Sequence, residues 1–204
     1  MNFCKFEVTF FSNFVIFTFF GGGCSNRSSC GFTGSGGDSL GDSIDHENDV
    51  GLQNKILAVC GENGTIALVS LYSRSTLRVR KISGKTPAIN TVSFISRNHL
   101  IVGCENGKVL CLSVPDLCNK WSIHDSDSPI LSLLHLPSRN GFVVGKQDGL
   151  CIFYRFNSDE EVINSKVLLS GADADPINTI KCDGSHVYTG ARDGRIRKYN
   201  ILHM

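Results

Sequence analysis

The sequence predicts an all-β fold of the propeller type, because one short unit recurs four times along its 204 residues. In each unit an apolar run ends at a small residue and leads into an Asn-Gly or Asp-Gly pair. The first residues of these pairs are Asn63, Asn106, Asp148 and Asp193, so successive units are 43, 42 and 45 residues apart. That spacing is the period of a propeller blade, about 40 to 45 residues.

Each unit contains at least a β-hairpin, because both residues of a tight Asn-Gly or Asp-Gly turn accept a positive φ at little steric cost. The apolar runs are short, rich in Val, Ile, Leu and aromatic residues, and bounded by Gly, Pro, Ser and Asp, which favours strands over helices. The second unit predicts strands at 89–95, 100–103, 109–114 and 121–123, and the third at 130–136, 142–145, 150–156 and 162–169.

The two outer units look incomplete. The first predicts strands at 56–60, 66–72 and 77–82 without a clear opening strand, and the fourth predicts 177–182, 187–190 and 196–202 without a closing one. A blade has four strands, and an uncovered edge invites aggregation. We therefore expect the β-prone residues 10–20 to pair with the open edge of the last blade or to pack on exposed propeller core. Self-association of the chain through its edges is expected as well.

The first 50 residues differ from the rest, so the sequence divides into segments 1–20, 21–50 and 51–204. Residues 1–20 hold eight of the thirteen Phe residues, and three interpretations stay open: a strand, the apolar region of a signal peptide, or an incorrectly assigned first exon. Residues 21–50 hold eight glycines and six serines with several acids, which predicts a mobile acidic loop. Residues 51–204 contain the propeller units.

Composition points away from several classes of function. Lys plus Arg is 20 and Asp plus Glu is 19, so no charge bias indicates nucleic acid or membrane as a partner. None of the nine cysteines forms a Cys-x-x-Cys pair, so we expect no metal site, and nothing indicates a cofactor. Five cysteines fall in or beside strands, where free thiols behave as small apolar residues. A reducing compartment, the cytoplasm and also the nucleus, is the expected location.

The units resemble WD40 repeats, although the Trp-Asp pair of that family is absent. Five residues after each turn glycine, where the family usually has Trp, this chain has Val69, Leu112, Tyr154 and Tyr199. The Gly-His of the family is also missing, so its buried network of Asp, His, Ser and Trp is not implied here.

A more specific resemblance rests on residues 128–148, which run from Ser-Pro-Ile-Leu-Ser-Leu-Leu to Gly-Lys-Gln-Asp-Gly, and on residues 169–199, which begin Leu-Ser-Gly-Ala-Asp-Ala-Asp-Pro. These stretches look like the C-terminal half of the proteasomal ATPase-associated factor family. The resemblance covers residues 54–204 and implies a seven-bladed propeller, monomeric at full length. Members of that family bind ATPase subunits of the proteasome regulatory particle and assist assembly of its base. Only about four blades are present here. A generic WD40 scaffold is the alternative.

The binding surface is expected on one narrow face of the propeller, because strand alternation brings the turn between the second and third strands of each blade together with the loop that leads into the next blade. That face should be acidic and should suit a basic partner surface. Its acidic residues are Glu62, Glu105, Asp125, Asp127, Asp148, Asp173, Asp175 and Asp193. The alternative is that these residues serve only as turn formers and solvated loop residues.

A hydrolase is the third interpretation. Gly37-Asp-Ser-Leu-Gly41 matches both the Gly-x-Ser-x-Gly nucleophile motif and the Gly-Asp-Ser-Leu signature of an esterase family, and Asp183-Gly-Ser-His186 could supply a base and its orienting carboxylate. The nucleophile motif needs a preceding strand and a following helix, and Ser39 lies in a Gly- and Ser-rich tract with neither. We therefore expect a binding protein and not an enzyme.

Overall fold

A computed structural model describes residues 18–20, 55–61, 63–82, 87–157, 162–169 and 175–201 of the chain. These residues form fifteen β-strands and one 3-10 turn at Pro137–Arg139. They include no α-helix, and hence none long and apolar enough to cross a membrane. Several predictions concern residues outside this part of the chain, among them the mobile acidic loop at 21–50.

The strands form four antiparallel sheets in which neighbours follow chain order. The first sheet contains β1 Thr18–Phe20, β2 Ile56–Cys60, β3 Thr65–Ser70 and β4 Ser75–Lys81. The second contains β5 Ile89–Phe94, β6 His99–Cys104, β7 Lys108–Ser113 and β8 Asn119–His124. The third contains β9 Ile130–Leu136, β10 Gly141–Lys146, β11 Cys151–Phe156 and β12 Val162–Leu168. The fourth contains β13 Ile177–Cys182, β14 His186–Ala191 and β15 Ile196–Asn200.

The four sheets lie side by side in chain order, with the inner strands β1, β5, β9 and β13 in successive contact. Three apolar layers fill the junctions between neighbouring sheets. The second and third sheets are buried on both faces, which is why β6 and β10 are apolar at nearly every position and do not alternate. This arrangement confirms the prediction of an all-β partial propeller with about four blades.

The first sheet obtains its inner strand from the N-terminal segment. β1 pairs antiparallel with β2, joining Thr18 to Ala58 and Phe20 to Ile56. The expected pairing of residues 10–20 with the last sheet is therefore wrong for residues 18–20. The physical reason is that β2 would otherwise expose an unpaired inner edge next to β5, at the crowded side of the arc. Residues 10–17 lie outside the described part of the chain.

The fourth sheet has three strands within the described residues, as the sequence predicts, and β15 is its last strand. Ile196 on this strand is 77% exposed. Its backbone edge has no described partner strand beyond the pairing with β14.

Free thiols contribute to the apolar layers. Cys60, Cys104, Cys111 and Cys151 are buried, and none of the cysteines in the described residues forms a disulfide. Burial raises the pKa of the Cys104 thiol to about 11 and that of Cys151 to about 12, so both stay protonated at neutral pH. They act as small core residues, as expected from their places in strands.

A close contact between an isoleucine and a glycine recurs at two junctions. The glycine lies three residues before the Asn or Asp of the turn, and the isoleucine begins the inner strand of the next sheet. A Cβ atom on Gly103 would lie 2.4 Å from Cγ2 of Ile130, and one on Gly145 would lie 2.7 Å from Cγ2 of Ile177. No side chain larger than hydrogen fits at either place, so these glycines fix how closely neighbouring sheets approach.

Hydrogen bonds reinforce both junctions. The Asn90 amide donates to the carbonyl oxygen of Ile130 at 3.1 Å, and the Ser132 hydroxyl donates to that of Ile177 at 3.0 Å. Each of the strands β5, β9 and β13 has a register shift near its start, which lets two successive residues oppose one residue of the neighbouring strand. In β5 the additional residue is Asn90, whose side chain reaches the next sheet.

We predict that Gly103→Ala lowers the free energy of unfolding by about 1 to 3 kcal/mol, because the added methyl group overpacks the junction with Ile130. Gly190→Ala is the matched control. It occupies the same position in the fourth sheet, where the added Cβ would meet only Cγ2 of Thr179, at 2.8 Å. Denaturant unfolding followed by circular dichroism measures both variants. Equal destabilisation of the two would show that the isoleucine contact does not set the cost.

Candidate protein-binding rim

One narrow side of the arc carries the turns between the second and third strands of each sheet and the loops that lead into the next sheet. We call this side the turn rim. In three sheets a backbone hydrogen bond joins this turn to the loop that precedes the sheet. The Glu105 amide donates to the Ala88 carbonyl oxygen at 2.9 Å in the second sheet. The corresponding bonds are Gln147 to Pro129 at 2.9 Å in the third sheet and Arg192 to Pro176 at 3.0 Å in the fourth. In these three sheets the turn and the preceding loop therefore lie on the same side of the arc.

Six of the eight acidic residues fall within the described part of the chain, and Glu62 and Asp173 lie outside it. Asp148 and Asp193 stabilise their own turns, because their carboxylates accept hydrogen bonds from the backbone amides of Leu150 and Arg195 at 3.1 and 2.9 Å. Glu105 accepts from the Asn90 amide at 2.6 Å. These three acids have structural contacts in addition to any contact with a partner.

Asp193 is also paired with a cation. Its carboxylate lies 2.7 Å from Nη2 of Arg197, and the Asp193 side chain is only 14% exposed. The hydrogen bonds from the Arg197 side chain and the Arg195 backbone hold the pKa of Asp193 below its usual value. Asp193 therefore stays ionised at neutral pH, but its charge is largely compensated locally.

Asp127 is almost fully accessible on the rim. Its side chain is 94% exposed, and one carboxylate oxygen lies 3.0 Å from Nε2 of His124. Asp175 precedes β13 in the loop from the third sheet and is half-buried. A partner can contact these two residues without breaking the hydrogen bonds that form a turn.

Asp125 has a different role, because it lies at the centre of a polar cluster. Its carboxylate accepts a hydrogen bond from the Tyr154 hydroxyl and lies 3.1 Å from Nζ of Lys166. Partial burial opposes ionisation of Asp125, but the bonds from Tyr154 and Lys166 outweigh it and hold its pKa below the usual value. Burial and the bond to Asp125 raise the pKa of the Tyr154 phenol.

Lys146 extends the cluster. It is 1% exposed, and its ammonium donates to the Ser126 hydroxyl at 2.9 Å. The cluster lines a cleft of about 360 Å³ between the second and third sheets, together with Leu150, Ile152 and Leu168. The charges of Lys146 and Lys166 exceed that of Asp125 by one, so this part of the rim is locally basic. The burial of Lys146 was not predicted from the sequence, although its place at the end of the apolar strand β10 could have indicated it.

Among the residues of the catalytic alternative, Asp183 has a structural role. Asp183 lies in the turn between β13 and β14, where its carboxylate accepts from the amides of Ser185 and His186 and from the Tyr188 hydroxyl at 2.8, 2.7 and 2.9 Å. These bonds hold the pKa of Asp183 far below its usual value. Ser39 lies outside the described residues. No group of three or more His, Cys, Asp or Glu side chains in the described part of the chain could hold a metal ion.

We predict that Tyr154→Phe lowers the free energy of unfolding at pH 7 by about 1.5 to 3 kcal/mol, because it removes a hydrogen bond to an ionised carboxylate. The pKa of Asp125 is lower in the folded state than in the unfolded chain, where it is about 4. The stabilisation that the ionised carboxylate provides is therefore present above about pH 4, and it is lost as the pH falls through the folded-state pKa. The difference between wild type and variant should therefore shrink below about pH 4.

Tyr199→Phe is the control for this prediction. Tyr199 occupies the same position in the fourth sheet, and its hydroxyl has no described hydrogen-bond partner. Urea unfolding between pH 3 and pH 8 measures both variants. If the difference in unfolding free energy between wild type and Tyr154→Phe stays constant over this range, the role assigned to the ionised Asp125 is contradicted.

Comparison with solved structures supports the fold. The chain superposes on the crystal structures of the computationally designed Ika4 and Ika8 proteins with a TM-score of 0.58 in each case. Sequence identity is 18% for both, and the match covers 72% of this chain with 85% of Ika4 and 43% of Ika8. At this identity the similarity concerns the fold alone. No protein-family model matches the sequence.

Curated relatives give a more specific result. The chain is 31% identical over 156 residues to proteasomal ATPase-associated factor 1 of Gallus gallus, and 30% identical to the proteins of that name from Bos taurus and Homo sapiens. The match covers 76% of this chain and 37% of each relative. It falls in the C-terminal portion of the relatives. The resemblance to the C-terminal part of proteasomal ATPase-associated factor 1, predicted from the turns and from residues 128–148 and 169–199, is thereby confirmed.

Proposed function

We propose that this chain is a protein-binding propeller fragment that attaches to ATPase subunits of the proteasome regulatory particle and assists assembly of its base. The observation that carries the proposal is the 156-residue match to proteins named proteasomal ATPase-associated factor 1. The chain spans 37% of the length of these relatives, so activity of the whole protein is part of the proposal. Such a function needs no cofactor, and its place is the cytoplasm and also the nucleus.

The turn rim is the proposed binding surface. Its accessible carboxylates, Asp127 above all, extend beyond their own turns, whereas Asp125 and Asp193 are compensated by neighbouring cations. A basic surface on an ATPase subunit would be drawn to the accessible acids, which raise association rate and discrimination more than raw affinity. The compensated acids hold the shape of the rim.

The first test is capture of partners from a lysate with the full chain as bait. We expect free ATPase subunits to be enriched over finished proteasomes, because an assembly factor must leave before its partner is incorporated. Enrichment of unrelated complexes alone would contradict the proposal and favour a generic scaffold. Purified subunits then allow the rim to be tested directly.

We predict that Asp127→Lys slows association with the ATPase subunit by roughly two- to fivefold and leaves folding intact, because Asp127 is an exposed loop charge. Asp116→Lys is the matched control: it makes the same change of charge on an exposed residue, in the turn between β7 and β8 at the opposite side of the arc. Surface plasmon resonance at two salt concentrations measures the rates, and the difference should shrink at high salt. Equal rates for both variants would remove the rim from the interface.

A further inference from the structure

Both ends of the arc resemble one half of an internal junction. At each junction one sheet presents its front face, toward the following sheet, and the next presents its back face, toward the preceding sheet. The front face of the fourth sheet and the back face of the first sheet have no described neighbour. Positions can be compared between sheets by counting from the Asn or Asp of each turn.

The front face of the fourth sheet repeats the pattern of a junction that is filled elsewhere. Gly190 occupies the place of Gly103 and Gly145, but no isoleucine approaches it. Its strand partner Thr179 is exposed, whereas the equivalent Thr91 and Ser132 are buried. The position three residues after the turn Asn or Asp shows the same contrast. The residue there is 2% exposed in the second sheet (Val109), 0% in the third (Cys151) and 77% in the fourth (Ile196).

The back face of the first sheet shows the complementary pattern. Its apolar residues occur at the positions that form the back faces of the second and third sheets, and they are only half-buried: Leu57, Val59, Ala67 and Val69. The equivalent residues of the second and third sheets are at most 8% exposed: Leu100, Val102, Leu110 and Leu112, and Phe142, Val144, Ile152 and Tyr154. This face is built to lie against a preceding front face.

We propose that the front face of the fourth sheet binds the back face of the first sheet of a second copy of this chain, head to tail. The two faces match the internal junctions at the positions compared above, and they differ from them at the centre of the front face. A second copy of the chain presents both faces at once. Such a heterologous contact closes into a pair or continues as a series, depending on the rotation between copies.

The contact should be weaker than an internal junction. At the centre of the front face of the fourth sheet lie Tyr188 and Lys198, with the Lys198 ammonium 5.7 Å from the centre of the Tyr188 ring. The equivalent residues on the front face of the third sheet are Val143 and Phe153, both buried. Desolvation of the ammonium opposes docking, so the association is reversible and depends on concentration.

The test uses the full chain and two variants, each of which blocks one face. Gly190→Val fills the front face, and within one copy the new Cβ meets only the exposed Thr179 side chain. Val69→Lys places a charge on the back face, where the aliphatic stem can lie along the half-buried surface. Sedimentation equilibrium should show concentration-dependent association of the wild type and dissociation constants at least roughly tenfold weaker for each variant.

Mixing the two variants identifies the geometry. Each retains one intact face, so an equimolar mixture should form a one-to-one pair at concentrations where either variant alone stays monomeric. Circular dichroism confirms that both variants keep the fold. A wild type that stays monomeric up to about 100 μM, association that survives either substitution, or a mixture that fails to pair would each overturn the proposal.

Discussion

The fold depends on the distance between neighbouring inner strands, which the contact of Ile130 with Gly103 and of Ile177 with Gly145 fixes. Sheets in a propeller diverge from the inner to the outer strand, so the space to be filled grows outward. Between the second and third sheets this space is filled by aromatic residues, with the ring of Phe142 5.2 Å from that of Tyr154 and 6.2 Å from that of Trp121. Small residues at the inner side and large ones toward the outside together give the junction its wedge shape.

The junction between the second and third sheets also supports the turn rim. Tyr154 packs in the apolar layer through its ring, and its hydroxyl reaches Asp125 in the loop that leads into β9. The polar cluster thus ties a loop of the candidate surface to the core. A rim attached in this way loses little conformational entropy on binding, which favours recognition by a preformed surface.

The strands and turns could be predicted from the sequence because their signals are local. The Asn-Gly and Asp-Gly pairs fixed the unit, and strand ends such as those of β9 agree with the pattern of apolar runs. The pairing of β1 was not predictable in the same way, since it joins Thr18 to Ala58 across 39 intervening residues. Nor was the bond of Tyr154 to Asp125 evident, because it joins a strand residue to a loop residue 29 positions earlier in the chain.

The number of acidic residues on the rim overstates the charge that a partner would meet. Asp193 is compensated by Arg197, and Asp125 by Lys166 with the buried Lys146 nearby. The negative potential therefore originates from a few accessible carboxylates, with Asp127 foremost, around a basic cleft. A uniformly basic partner would meet repulsion at that cleft, whereas a basic surface with one acidic group could satisfy both parts. Recognition at such a rim depends on the arrangement of charges and not on their sum.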